Sequence, residues 1–257
     1  LADALDFVAA VASWSGVPYS RDARAARLDL QLDVQTFDGA RVNYLLEIKQ
    51  SDDARTLTVK EKEPSKLPSF CPQRHINPDG TFCLGFKSEF FSSIDSEDSA
   101  KSWFEILYRY LQLQYRAANN RRWTGDEWRH GDAAIHQSKA QKISVQIFGD
   151  LKFSDLSYQL TYSNNRTIIE VLVKGEIIYR VWKEYRRVIN GKRKCVCGGP
   201  FKKKRRRFGR CYNHSKLAVE LAFELENIDI AEEEFWREIK QRSYTCCNTC
   251  DYCPLKK

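Results

Sequence analysis

A cysteine that acts as a nucleophile must be reachable and rigidly held, whereas one that ligates a metal comes with partners at fixed spacing. Both patterns occur in this chain of 257 residues and nine cysteines. Seven of the nine lie after residue 194, which leaves Cys71 and Cys83 apart. Cys83 ends the stretch CPQRHINPDGTFC, where Pro64, Pro68, Pro72 and Pro78 punctuate the approach and Asp79-Gly80 makes a turn just before Phe82-Cys83-Leu84. Such sequence is stiff without being regular, and long loops inside a domain are usually functional. An exposed thiol there could exchange thioesters between protein partners; flanked by Phe82 and Leu84, it could equally be a small buried apolar residue. Cys71 reads as a structural thiol or as a disulfide partner for Cys83.

The later cysteines have ligand spacing. Cys195 and Cys197, followed by Gly198-Gly199 and then by Cys211 and His214, offer three thiolates and one imidazole, a set suited to tetrahedral zinc. The glycines let backbone amides turn toward the sulfurs. Cys246, Cys247, Cys250 and Cys253 form a denser cluster, in which C-x-x-C-x-x-C supplies three ligands and Cys246 a fourth. Ligands this close in sequence are hard to close around one ion, so a partner from elsewhere in the chain and an iron-sulfur cluster both stay open. Zinc in one or two structural sites is the expected cofactor, with no organic cofactor.

The net charge of +8 is uneven, because ten Lys and Arg residues crowd into residues 192–210 and leave the rest slightly acidic. The run GPFKKKRRRFGR, with Phe201, Phe208 and Tyr212 available for stacking, could bind phosphate backbones, dock an acidic protein or stay solvated. A charge run without a recognised reader fold is weak evidence for nucleic acid.

The elements that must position these residues follow from periodicity. Residues 3–14 place Leu5, Val8, Ala9, Ala12 and Trp14 on one helical face, which Gly16-Val17-Pro18 ends. RLDLQLDVQTF, RVNYLLEIKQ and TLTVKEKE alternate apolar and polar residues across turn signals, as an antiparallel meander with one wet face does. After the long loop, Ser96, Asp98 and Ser99 offer N-caps for a helix running to about Arg122. Beyond residue 140 KISVQIFG, LSYQLTY, TIIEVLV and EIIYRVW read as strands, the last two joined at Lys174-Gly175. LAVELAFELENI and EEEFWREIKQ read as two helices. The expected fold class is α+β, organised as residues 1–138, a β-rich extension over 139–190 and a basic, cysteine-rich region over 191–257. No apolar run nears eighteen residues, which excludes a membrane helix, and Asp3 and Asp6 with no basic flank argue against a secretory signal. A cytoplasmic location is the expectation.

Asp79-Gly80-Thr81-Phe82-Cys83-Leu84 resembles the active-site stretch of ubiquitin-conjugating enzymes. In that family a His-Pro-Asn triplet precedes the nucleophile, and an Asn-Gly or Asp-Gly turn leads into an apolar residue, the Cys and a Leu. The order helix, meander, loop, helix is similar to the family's fold, whose sheet is a four-stranded meander, and covers roughly residues 1–130. The resemblance implies a transferase that carries a ubiquitin-like protein as a thioester on Cys83, receives it from a ubiquitin-activating-like enzyme and delivers it to an amine of a target protein. The His-Pro-Asn positions fall on Gln73, Arg74 and His75, so the oxyanion donor could be His75, Asn77 or loop amides. That divergence is similar to bacterial relatives, which travel with their own activating enzyme, modifier and peptidase in pathways of the antiphage type. Some of them use a histidine downstream of the cysteine, a role for which His130 is the candidate, with Asp126 or Glu127 to orient it. The alternative is a catalytically inactive module of the same fold whose basic zinc tail contacts nucleic acid or a protein.

Overall fold

A computed structural model describes residues 3–50, 56–64, 66–84, 94–125, 128–149, 153–189, 194–197 and 206–256. The chain divides into two compact units, Leu1–Glu127 joined by Lys240–Lys257, and Trp128–Ile239.

In the first unit, α1 (Ala4–Trp14) starts at Asp3, whose carboxylate accepts from the Asp6 amide at 2.8 Å while Asp6 accepts from the Asp3 amide at 3.1 Å. This reciprocal cap satisfies two amides that the helix itself leaves unpaired. A four-stranded antiparallel meander follows in the order β1 (Tyr19–Asp22), β2 (Arg27–Gln35), β3 (Arg41–Gln50) and β4 (Leu57–Glu61). Alternation in β2 buries Leu28, Leu30, Leu32 and Val34 and turns the residues between them toward water. α2 (Glu97–Asn120) is capped by Ser96, whose hydroxyl accepts from the Ser99 amide, and packs against α1 and β2. Its buried Trp103, Leu107 and Leu111 contribute about 1.5–3 kcal/mol each by leaving water.

The second unit opens with α3 (Ala133–Phe148) and the short α4 (Phe153–Leu156), then a separate four-stranded antiparallel sheet, β5 (Tyr158–Ser163), β6 (Ile168–Val173), β7 (Glu176–Trp182) and β8 (Arg187–Ile189). The turn between β6 and β7 falls on Lys174 and Gly175, both at positive φ (52° and 80°), the conformation that matches the twist of a two-residue hairpin. α5 (Tyr212–Gln241) shares the core of this sheet: Ala218, Leu221, Ala222 and Leu225 join Ile169, Val171, Tyr179 and Val181.

The architecture is α+β with an antiparallel four-stranded meander and flanking helices, and the extension adds a second sheet. Two elements differ from expectation. KISVQIFG is the end of helix α3 rather than a strand: its Ile-Ser-Val-Gln-Ile alternation mimics period two, but Ala133, Ala140, Ser144 and Ile147 bury one helical face while Val145 is exposed. The two expected C-terminal helices are one, because Asp229-Ile230-Ala231 between them holds no breaker. No described helix is long and apolar enough to cross a membrane.

Candidate functional site

The loop that carries Cys83 is built backward from β4. Its first fixed point is a turn of 3-10 helix, Pro72–Arg74, ended by His75 in the left-handed region at φ 55°. Ile76 then pairs with both Cys71 and Phe82, giving the loop a small sheet-like centre. Asn77-Pro78-Asp79-Gly80 closes as a β-turn, with the Gly80 amide donating to the Asn77 carbonyl at 2.9 Å and Gly80 at φ 80°. Asp79 secures the exit by accepting from the amide and the hydroxyl of Thr81, at 3.0 and 2.6 Å. The Phe82 amide donates to the Val59 carbonyl of β4 and the Cys83 amide to the His75 carbonyl, both at 2.8 Å.

These bonds decide which side chain faces out. Phe82 is buried and stacks on Tyr110 of α2 with ring centres 4.9 Å apart, so in extended backbone its neighbour must point the other way. Cys83 is accordingly exposed, and the buried reading of it is set aside. A groove of about 220 Å³ runs between β4 and the loop, lined by Lys60, Lys62, Leu67, Pro78 and Phe82 among others.

What holds the loop on the helix was not visible in the sequence. Arg74, expected only as the stand-in for a family proline, is 1% exposed. Its Nε donates to Gln114 Oε1 at 2.8 Å, its Nη2 to the Gln114 carbonyl at 2.9 Å, and Gln114 Nε2 returns a bond to the Arg74 carbonyl at 2.6 Å. The Tyr110 hydroxyl lies 3.2 Å from the Arg74 carbonyl and 3.1 Å from that of His75, donating to this pair. Burial, with the Cys83 sulfur among the lesser contributors, pushes that hydroxyl well above its ordinary pKa, which keeps it a donor.

The two candidate partners of Cys83 on the loop differ. His75 is 8% exposed, tilts against Trp123 at 5.5 Å, and reaches Cys83 through its carbonyl. Asn77 is exposed and its side-chain amide donates to Thr81 Oγ1 at 3.0 Å, so it shapes the turn. The Trp123 indole N–H, which no sequence signal singled out, is buried and has no hydrogen-bond partner among the described residues.

His130 belongs to the second unit. Its Nδ1 is 2.7 Å from Glu232 Oε1, its amide donates to Glu232 Oε2 at 3.0 Å, and its ring stacks on Phe235 at 4.7 Å. Burial opposes ionisation of Glu232, but the bonds and charge of His130 win and hold the carboxyl down to about 2. The expected orienting residues Asp126 and Glu127 lie outside the described residues, and the carboxylate that meets His130 is Glu232.

Cys195, Cys197, Cys211 and His214 come together, with all four donor atoms within 4.8 Å of one another. The pairing of Lys194 with Arg207 brings the two ends of the intervening segment side by side, and the Cys195 amide donates to the Arg206 carbonyl at 2.6 Å. Cys211 Sγ lies 3.0 Å from His214 Nδ1 on the first turn of α5. Burial pushes the Cys195 thiol up to about 12, while the Cys197 amide aimed at its sulfur works the other way. Three thiols and an imidazole at this separation fit a tetrahedral soft cation, which ionises the thiols it binds.

The basic run supports stacking less than its composition suggested. Phe208 is buried in the core of the second unit, edge-on to Tyr179, so it is not a free stacking platform. Phe201 and most of the basic residues, with Gly198-Gly199, lie outside the described residues, as does the side chain of Tyr212.

Among the C-terminal cysteines, the Cys246 and Cys253 thiols are in hydrogen-bond contact, and Cys247 and Cys250 each contact Cys71 rather than closing only on the cluster. The Cys71 thiol is raised by donating to both; Cys247 is lowered to about 5 and Cys250 to about 7, in each case first by that bond from Cys71.

Residues 19–125 match the family described as the prokaryotic E2 domain, and residues 129–255 match the cysteine-rich domain that lies C-terminal to E2. No curated protein and no solved structure matches the chain.

Proposed function

Because the chain belongs to the prokaryotic E2 proteins that carry a cysteine-rich domain after the E2 domain, and E2 is the conjugating step of ubiquitin transfer, we propose that Cys83 is its thioester-forming nucleophile. The Cys83 thiolate attacks the thioester carbonyl that joins a ubiquitin-like C-terminus to the cysteine of an activating enzyme. The new C–S bond forms as the old one breaks, and the activating enzyme's thiolate leaves. In the second step an amine of the target protein attacks the Cys83 thioester, the amide forms, and the Cys83 thiolate departs with the amine proton passed to solvent or base.

The observation that carries this reading is the exposed thiol of Cys83 on a loop fixed from three sides, by β4, by the Asn77–Gly80 turn and by α2. Two large protein partners must reach one sulfur in succession, and rigidity keeps the attack geometry from being lost between them. His75 is the positioning residue, through the carbonyl that receives the Cys83 amide. Asn77 sets the turn, and its side-chain amide is the nearest family-like candidate for an oxyanion donor in sequence. The partners are a ubiquitin-like protein, an activating enzyme and a target protein, in a bacterial conjugation pathway of the antiphage type. Zinc held by Cys195, Cys197, Cys211 and His214 fixes the fold of the second unit.

Incubation with an activating enzyme, ATP and a ubiquitin-like partner tests the reading. A thiol-sensitive adduct on the wild-type chain that is absent in Cys83→Ala is the expected result. Failure to form it with competent partners favours the inactive binding module.

A further inference from the structure

Two turns meet at one end of the β5–β8 sheet. The β5–β6 turn spans residues 164–167 and the β7–β8 turn residues 183–186, and the Lys183 amide donates to the Thr167 carbonyl at 2.9 Å, which holds them side by side. Trp182 and Arg187 pair across β7 and β8 at the root of the second turn. The Trp182 and Tyr185 rings meet edge-on with centres 4.6 Å apart, and Tyr185 is 55% exposed.

The arginines at this end rest on rings instead of carboxylates. The Arg166 guanidinium carbon stands 4.6 Å from the Tyr162 ring centre, that of Arg186 4.2 Å from Phe223 of α5, and that of Arg187 5.4 Å from both Trp182 and Tyr185. Lys183 is neutralised by Glu226 and Arg180 by Glu170, each at 2.6 Å, but none of the three arginines has a carboxylate partner among the described residues. Within the two turns the one carboxylate is Glu184. Arg166 and Arg186 are also in the left-handed region, at φ 64° and 43°, where glycine or asparagine is the unstrained choice. Chain geometry alone favours glycine at both positions, so keeping arginine there points to a task for its charge.

We propose that this end of the β5–β8 sheet binds single-stranded nucleic acid, with Arg166, Arg186 and Arg187 on phosphates and a base stacked on Tyr185. A guanidinium laid flat on a ring keeps its N–H edge for an anion, and its orientation is set before the anion arrives. A single strand supplies both complements, phosphates for the arginines and an unpaired base for the exposed ring. An acidic protein segment would use the charges and leave Tyr185 idle, and the bases of a duplex are already stacked on one another. The residues concerned belong neither to the basic run nor to the Cys83 loop, and the surface is independent of whether Cys83 forms a thioester.

The test is fluorescence anisotropy of the full chain with a labelled oligothymidylate of about 16 nucleotides, across a salt series. Binding that weakens with salt is expected. The double change Arg166→Gly with Arg186→Gly removes two charges and relieves the left-handed strain, so the melting temperature should hold while the slope of log affinity against log salt shrinks by about 1.4. Tyr185→Ala should keep the slope but weaken the single strand about tenfold, leaving a duplex of the same length unaffected. Arg187→Gln, at an ordinary strand position, supplies the charge test if the double variant unfolds, with the slope shrinking by about 0.7. No binding by the wild-type chain, or an unchanged slope in the folded arginine variants, overturns the proposal. So does a Tyr185→Ala chain that binds like wild type while polyglutamate competes as well as the oligonucleotide, the result an acidic protein partner would give.

Discussion

Two four-stranded antiparallel sheets of the same simple connectivity carry thiols in opposite states. Beside β1–β4 the chain exposes Cys83 by burying its neighbour Phe82, so a sulfur is offered to solvent on a rigid support. Beside β5–β8 it buries Cys195 and brings Cys197, Cys211 and His214 within 4.8 Å, so sulfurs are offered to one another. The difference lies in the bonds around each cysteine rather than in the residue. An exposed thiol whose own amide is fixed by a main-chain bond suits exchange with visiting proteins, and a convergent set suits a resident ion.

Changes at the two places separate them. Cys83→Ala is expected to abolish adduct formation completely while shifting the melting temperature little, because the side chain is exposed; gel analysis with and without thiol, beside a thermal melt, checks both halves. Cys195→Ser should do the reverse. With zinc bound there as proposed, the change costs the second unit much of that ion's binding energy, on the order of 10 kcal/mol, which circular dichroism would register as loss of cooperative unfolding, with Cys83 still able to accept the modifier if the first unit stands alone.

Smaller effects probe how each region is held. Gln114→Leu leaves the Arg74 guanidinium short of one acceptor and should destabilise the first unit by about 2–4 kcal/mol, measured by urea denaturation, with slower thioester formation as the loop loosens. In the second unit, Glu232 titrates near 2 when folded against an ordinary 4.5. Its contribution is therefore fully present above about pH 4.5 and is lost as the pH falls toward 2, on the order of 2 kcal/mol. Glu232→Gln should flatten that part of the acid-unfolding curve, and an unchanged curve would separate His130 from any stabilising role.

Much of the first region was legible because its signals are local. The cap at Ser96, the alternation of β2 and β3 and the turn at Asp79-Gly80 each act over a few residues, and each formed where the pattern put it. Legibility failed where period two and period 3.6 overlap, as in KISVQIFG, and where strands are as short as β1 and β8. It failed more completely for pairings across long separations. Nothing near Arg74 announces Gln114, and nothing near His130 announces Glu232, about a hundred residues on. The cysteines show both sides: spacing revealed the Cys195 set, but not that the C-terminal cluster would meet Cys71.

The return of Lys240–Lys257 to the first unit also orders events during synthesis. Residues that pack on Arg121 and Cys71 leave the ribosome only after the whole second unit has been made. The meander and its loop can assemble early, yet the base of the Cys83 loop gains its last contacts late. A chain interrupted anywhere in the second unit would display the Cys83 loop without its C-terminal brace, so stalled translation products would carry a looser, more easily unfolded version of that loop than finished molecules do.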